Sequence, residues 1–474
     1  MSTDTMKEDP RSLNAETAGE AADPSTGNPL YRAVWRWHFY AGLFSIPFIV
    51  ALSITGAIYL FKPQVEAWLD RPYDSLGMTG RPAGAAAQVA AALAAVPGST
   101  LKGYELPNTP DAAAQILVTH DGEETRVYLH PETLQILKSV KEEERPMNVI
   151  ASLHGRLWIG NVGSAIVELA ASWAIIMLLT GLYLWWPRQT RGLGGVFYTR
   201  WERKNRLFWR DLHAVTGVWI SGLAFFLLLT GLPWAYLWGN YFKAVRSLTG
   251  MNVAKQDWAT GRPAAPTPTA SDHAAHTPEP DGTPGASATN YDAIDRIVAT
   301  VAPLNLFPPV VIAPPQKDAA AWTAKSEAQD RPLRVSLWLD GATGAILKRE
   351  EFKDRPLIDR AVGIGIAAHE GQLFGWPNQL LGLLTALGLI LLSVSSVIMW
   401  RRRRPQGALG APRAFQRPRL SVGLGLLIVL LGLYLPLFAA SALVVTLTEK
   451  WVLSRIPSVR DWLGLAAATG KTPG

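Results

Sequence analysis

The 474-residue chain has no cysteine. Disulfides, thiolate-ligated iron–sulfur clusters and covalent haem attachment through C-x-x-C-H are therefore excluded. Charge is sparse too, at 18% of residues against 49% hydrophobic. With a positive mean hydropathy, this balance points to a polytopic membrane protein with substantial soluble segments. Residues 1–30 are polar and lack the apolar core of a cleavable signal peptide. They read as a disordered cytoplasmic N-terminus, with the first apolar helix acting as an uncleaved anchor. A nucleotide fold is missing as well. Gly363-x-Gly365-x-x-Ala368 imitates a dinucleotide fingerprint by letters alone, because it follows no expected strand.

What is present is apolar length. A bilayer-spanning helix needs about 20 apolar residues. Transmembrane helices are expected over 39–61, 164–186, 212–234, 378–400 and 420–443. Arginine and lysine crowd the segment just before the first helix and the loops 187–211 and 401–419. The positive-inside rule makes all three cytoplasmic. Segments 62–163 and 239–377 then lie outside, and so does the tail 444–474. This topology accounts for the net charge of +7, so no nucleic-acid partner is expected.

Each outside segment carries a helix candidate followed by strand-like stretches. In the first, GAAAQVAAALAAVPG precedes AAQILVTH and TRVYLHPETLQILK; in the second, NYDAIDRIVATVAP precedes PPVVIAP and RVSLWLDGATGAILK. Their endings align, His130 to Lys138 with Asp340 to Lys348. The expected fold is a polytopic α-helical membrane protein, internally duplicated, with two small α+β units. Residues 259–290 are poor in bulky apolar side chains and rich in Pro, Ala and Thr, so they read as a disordered insertion. His273 and His276 fall inside it and read as linker residues rather than metal ligands.

The chemistry resides in a repeated spacing. His38 is followed by Gly42 and Thr55-Gly56, and His213 by Gly217 and Thr230-Gly231, with seventeen residues from histidine to threonine in both. An imidazole at the edge of a lipid-embedded helix needs a partner or a ligand, because an unpaired polar group there is costly. His154 (in LHGRLWIGNVG) precedes the second long helix, and His369 (in AHEGQLFGWPNQ) precedes the fourth. Topology places His38 and His213 at inner helix ends and the other two at outer ends. A 20-residue helix spans about 30 Å, so the four cannot share one metal. They divide into an inner and an outer pair, each drawn from both halves. Neutral imidazole is a good axial ligand for haem iron, and bis-histidine ligation suits electron transfer because it leaves no open position. The glycines would admit a flat macrocycle or a neighbouring helix. The alternative for any single membrane-edge histidine is an interfacial polar role.

Several residues have a plainer expectation. Trp35, Trp37, Trp185, Trp186, Trp209, Trp234 and Trp400 read as an aromatic belt. Glu168, inside the second helix, reads as an interfacial or helix–helix hydrogen bond, with a proton or haem-propionate contact as the alternative. His120 and His130 read as surface residues. The inner loops are too short to fold a flavin or nicotinamide domain, so any electron donor is external, a quinol or a cytoplasmic reductase.

YRAVWRWHFYAGLFSIPFIVALSITGAIYLF, ELAASWAIIMLLTGLYLWWPR and WRDLHAVTGVW resemble the PepSY-associated transmembrane family over roughly residues 31–404, with TGLYLWWPR the most specific stretch. The outside endings resemble the close of PepSY units, where D-x-x-T-G is usual. The second copy keeps Asp340, Thr343 and Gly344, whereas the first has His130, Thr133 and Leu134. The family includes bacterial inner-membrane ferrisiderophore reductases of the FoxB type. The resemblance implies two b-type haems, axial ligands His38, His213, His154 and His369, PepSY-like periplasmic units, and reduction of a ferric siderophore or other ferric chelate. A membrane-anchored PepSY module with a regulatory or sensing role and no redox activity is the alternative that the resemblance leaves open.

Overall fold

A computed structural model describes residues 28–187, 192–202, 206–249, 291–315, 321–412 and 421–465. The insertion 259–290, with His273 and His276, and residues 1–27 lie outside the described residues. In chain order, the long helix α1 (Pro29–Tyr59) is followed by α2 (Lys62–Asp70), α3 (Ala85–Ala95) and the strands β1 (Thr100–Glu105), β2 (Ala114–His120), β3 (Glu123–Leu129) and β4 (Ile136–Lys141). Then come α4 (Pro146–Arg156), α5 (Gly160–Trp185), α6 (Arg206–Gly231), α7 (Tyr236–Leu248) and α8 (Ala293–Val301). Strands β5 (Val310–Ala313), β6 (Trp322–Ser326), β7 (Val335–Leu339) and β8 (Ile346–Glu351) precede α9 (Leu357–His369) and α10 (Trp376–Arg403). The described chain ends with α11 (Val422–Tyr434), α12 (Pro436–Trp451) and α13 (Pro457–Leu463).

Among the described residues, five helices are long and apolar enough to cross a membrane: Pro29–Tyr59, Gly160–Trp185, Arg206–Trp234, Trp376–Arg403 and Pro436–Arg455. The first four coincide with the expected spans. The last does not. One helix is expected over 420–443, but the chain breaks at Leu435, between α11 and α12. Pro436 lacks the N–H that a continuing helix requires and disfavours helical dihedrals at the residue before it. Leu435 accordingly sits at φ −121°, ψ 73°.

Packing divides the chain into two units. One comprises Met1–Pro47, Leu169–Gly222 and Leu391–Gly474; the other comprises Phe48–Glu168 and Leu223–Ile390. Helices α1, α5, α6 and α10 each contribute residues to both.

In the first unit, the C-terminal segment returns to the N-terminal part of α1. Arg36 donates to Gly464 O at 2.8 Å and to Pro412 O at 3.0 Å, and Tyr40 Oη donates to Leu463 O at 2.7 Å. Leu409 N bonds Trp462 O at 2.8 Å. Glu449, near the end of α12, lies 3.7 Å from Arg36.

The second unit holds an eight-stranded antiparallel sheet of order β4-β3-β2-β1-β5-β6-β7-β8. Two separate small units are expected from sequence; instead both sets of four strands join through β1 and β5, with Tyr104 opposite Ile312 and Glu105 opposite Val311. Left apart, each set would expose β1 or β5 as an unpaired edge, which pairing removes. The outer edges, β4 and β8, carry Lys138, Lys141, Lys348 and Arg349, charges that discourage further strand addition. One core serves the whole sheet: Val89 and Ala92 of α3 and Ile294, Ile297 and Val301 of α8 are buried against Ile116, Val127, Ile312, Leu337 and Leu339.

The two closing turns have the same construction despite their different letters. Asp340 Oδ1 accepts from the backbone N–H of Ala342 and Thr343 at 3.0 and 2.7 Å. His130 Nδ1 takes that part in the first turn, accepting from Glu132 and Thr133 at 3.2 and 3.3 Å. Gly344 and Leu134 occupy the same left-handed position, at φ 75° and 60°. Both side chains hold their own backbone.

Candidate functional site

The four histidines are bound in one repeated way. His38 Nδ1, from α1, lies 3.1 Å from Met177 O and 3.1 Å from Thr180 Oγ1, both on α5. A carbonyl oxygen only accepts, and Thr180 Oγ1 already donates to Ile176 O at 2.8 Å. His38 Nδ1 must therefore carry the proton, which leaves Nε2 as the nitrogen with the lone pair. His213, from α6, does the same toward α10: its Nδ1 is 3.2 Å from Leu392 O and 3.2 Å from Ser395 Oγ. Ser395 Oγ in turn donates to Leu392 O at 3.0 Å. Both contacts lie within the first unit.

The second unit repeats the arrangement with the partners exchanged. His154, on α4, sets Nδ1 3.0 Å from Thr55 Oγ1 on α1 and bonds the Leu52 backbone. His369, at the end of α9, sets Nδ1 2.9 Å from Thr230 Oγ1 on α6 and bonds the Leu227 backbone. Thr55 donates to Ala51 O and Thr230 to Phe226 O, each at 2.8 Å. In all four cases the acceptors are a helix carbonyl and a hydroxyl three residues later in the chain. That pairing follows from helix geometry, since residues three and four apart share a face.

Glycine makes the approach possible. A Cβ on Gly181 would lie 3.1 Å from His38 Cε1, and one on Gly56 would lie 3.1 Å from His154 Cε1. Gly42 and Gly217, one turn after His38 and His213, would put a Cβ 3.6 Å from Met177 Sδ and 3.7 Å from Leu392 Cδ2. These are the two residues whose carbonyls receive the imidazoles. The repeated spacing read from the sequence thus has a task at each end: His–Gly docks one helix on the next, and Thr–Gly receives a different histidine. Thr180, Gly181 and Ser395 are not singled out by sequence reading. The available signal is the Thr-Gly pair, which occurs four times within apolar helices, at 55–56, 180–181, 216–217 and 230–231, and three of these threonines receive a histidine.

His154 and His369 face each other with ring centres 6.4 Å apart and planes inclined by 80°. Burial pushes His154 below the ordinary histidine range, against the opposing effect of its Leu52 hydrogen bond. Burial and then the neighbouring His154 push His369 down to about 4, with the Leu227 hydrogen bond opposing. Burial thus favours the neutral ring at both, the form that ligates metals. Two imidazoles on opposite sides of one ion, each at about 2 Å, would set their ring centres about 6 Å apart. The His154–His369 pair therefore fits bis-axial ligation.

The turns that present His154 and His369 are built for close packing. Helix α4 ends two residues after His154, with Leu157 and Trp158 at φ 48° and 62°. The chain then doubles back so tightly that a Cβ on Gly163 would meet Arg156 O at 1.7 Å. After His369, Asn378 closes the turn by donating to Ala368 O at 2.8 Å and accepting from Leu373 N at 3.1 Å.

Other sequence candidates acquire structural roles. Glu168 is 2% exposed and accepts from the backbone N–H of Leu237 and Trp238, each at 3.0 Å. It caps α7 from a distance, a favourable place for a carboxylate. Helix α7 is in turn pinned to α9 by the buried pair Arg246–Asp359 at 2.8 Å. Asp211, two residues before His213 and fully buried, is held by Arg200 and Arg210 at 2.7 and 2.8 Å. Trp35, Trp209, Trp234 and Trp400 lie beneath arginines 403, 402, 331 and 404. Trp37 stacks on Trp173 at 5.8 Å. His120 lies at the surface, 3.4 Å from Asp121.

No curated protein matches the chain. The family described as the PepSY-associated TM region matches residues 35–403, a stretch that contains all four histidines and every one of their acceptors. On that match the chain belongs to the PepSY-associated transmembrane family.

Proposed function

We propose that the chain is a di-haem b electron-transfer protein of the bacterial inner membrane that reduces periplasmic ferric siderophores, or another ferric chelate, in iron acquisition. The supporting observation is the fourfold imidazole arrangement. Each Nδ1 proton is committed to a carbonyl and a hydroxyl, each Nε2 keeps its lone pair, and one pair has its ring centres 6.4 Å apart, a spacing that two imidazoles sharing one metal ion would have. Among the described residues there is no cluster of three or more His, Asp or Glu able to hold a bare ion. Two imidazoles suit a metal that brings its own equatorial donors. His38 and His213 would hold one haem, His154 and His369 the other. Haem held by these residues would supply one-electron exchange.

The chain supplies position and environment. The histidines are fixed by helix carbonyls and hydroxyls, and burial favours the neutral ring at His154 and His369. One electron per ferric ion comes from an external donor, a quinol or a cytoplasmic reductase. The product, ferrous iron, is held less strongly by hard oxygen donors than ferric iron is, so the chelate releases it. In this reading the N-terminus is cytoplasmic, the sheet is periplasmic, and the mirrored strand order reflects internal duplication.

The test is spectroscopic. Protein purified after haem-replete expression is expected to give a b-type reduced-minus-oxidised spectrum and two haems per chain. His369→Ala should remove one of them. A chain without any b-type band under these conditions would overturn the proposal.

A further inference from the structure

We infer that Thr55, Thr180, Thr230 and Ser395 are positioning residues that set the redox potentials of the two sites through the imidazole Nδ1–H. This rests on the haem reading above. All four hydroxyls lie 2.9–3.2 Å from a histidine Nδ1. Each has already donated its proton to a carbonyl of its own helix, at 2.8–3.0 Å. Each oxygen therefore faces the imidazole as an acceptor and cannot turn into a donor without breaking that bond. Acceptors on the distal N–H raise the basicity of the ligating nitrogen. A more basic ligand favours ferric over ferrous iron and lowers the potential. Three sites use Thr followed by Gly, and the fourth uses Ser395 followed by Ser396. The two sites thus differ in their supporting shell.

Thr230→Val keeps the shape and removes the acceptor; Thr230→Ser keeps the acceptor. A potentiometric titration of the visible spectrum reads both. The expected result is two haems per chain in each variant, one midpoint raised in Thr230→Val, and that midpoint restored in Thr230→Ser. Loss of one haem in Thr230→Val would show that the hydroxyl holds the haem rather than sets its potential, and would overturn the inference as stated. Unmoved midpoints in Thr230→Val, or haem loss in both variants, would overturn it. Failure of the haem reading itself appears differently, as an unsubstituted chain with no b-type band.

A separate observation carries a second inference. The geometry points to α11 and α12 as a re-entrant hairpin, so that residues 457–464 lie on the same membrane face as the start of α1. Helix α11 has 13 residues, about 20 Å of rise, too short for a bilayer core of about 30 Å. The chain then folds back at Leu435, where a Cβ on Gly432 would stand 3.3 Å from that of Ala439. Entry and exit meet at one end: Leu409 bonds Trp462, and Arg36 and Tyr40 bond Gly464 and Leu463. Near its tip the hairpin rests on Trp173, which donates to Ser441 Oγ at 3.1 Å and lies 5.0 Å from the Phe438 ring. In this reading residues 457–464 share the side of the start of α1, whereas the expectation from sequence puts the tail 444–474 on the opposite side.

The absence of cysteine makes the test clean. Asn28→Cys, Ser458→Cys and Lys450→Cys, all at exposed positions, are labelled singly in sealed membrane vesicles with an impermeant maleimide, before and after permeabilisation. The hairpin predicts that all three react from the same side. Reaction of the two C-terminal sites from the side opposite Asn28→Cys would overturn it.

Discussion

At the scale of single residues, the histidines are defined by what holds their far nitrogen. Sequence periodicity identifies His38 and His213 and their seventeen-residue partners, yet it cannot say that Thr55 serves His154 rather than His38. Thr55 and His38 share a helix, and residues on one straight helix never turn back on each other; the contact is made by a different element. Gly181 shows how narrow the fit is, because a Cβ there would stand 3.1 Å from the His38 ring. Gly181→Val is expected to push the imidazole off Thr180 and to halve the haem content while sparing the His154–His369 site. Haem per chain measures this, and a full complement in the variant would show that the close approach is dispensable.

At the scale of elements, polar groups decide which helices and strands stay together. Arg126 on β3 joins Glu105 on β1 to Glu142 beyond β4, the latter at 2.6 Å. Burial raises the Glu142 carboxyl, but Arg126 and Arg145 outweigh it and hold the group below the ordinary carboxylate range. A folded value depressed in this way contributes stability that is present above the unfolded value of about 4.3 and is lost as pH falls through the folded value. Glu142→Gln should therefore be less stable than the parent at pH 7, with the gap closing toward pH 3. Thermal unfolding of the two proteins across that range tests the sign; a gap that widens in acid would refute it. The letters predicted strands where β3 and β4 stand, but not β1, which carries Glu105. They did not predict the ion-pair cluster, whose members are up to 37 positions apart, from Glu105 to Glu142.

At the scale of the whole molecule, the sheet is where local pattern and tertiary outcome part. Helix candidates and several of the strands in segments 62–163 and 239–377 were legible, and so was the kinship of their closing turns. The joining of the two sets into one sheet was not, because β1 and β5 carry no mark that distinguishes an edge from a centre. Ile312, fully buried on β5 at that seam, should be costly to truncate. Ile312→Ala is expected to destabilise by about 2–5 kcal/mol, whereas Ile346→Ala, 40% exposed on the outer strand β8, should cost far less. Denaturant unfolding of the two variants decides it, and equal effects would mean that the seam is not part of the core.

By itself the sequence determined four of the five long apolar helices, the absence of thiol chemistry, the two helix-borne histidines at matched positions and the family. Those follow from apolar length, composition and spacing along one chain, which are local properties. Only the tertiary structure decided which threonine meets which histidine, that Glu168 caps a helix, that eight strands make one sheet, and that the C-terminal segment returns to α1. Each of these depends on a contact between residues far apart in sequence, chosen because a buried donor or acceptor must find a partner and the nearest one belongs to another element.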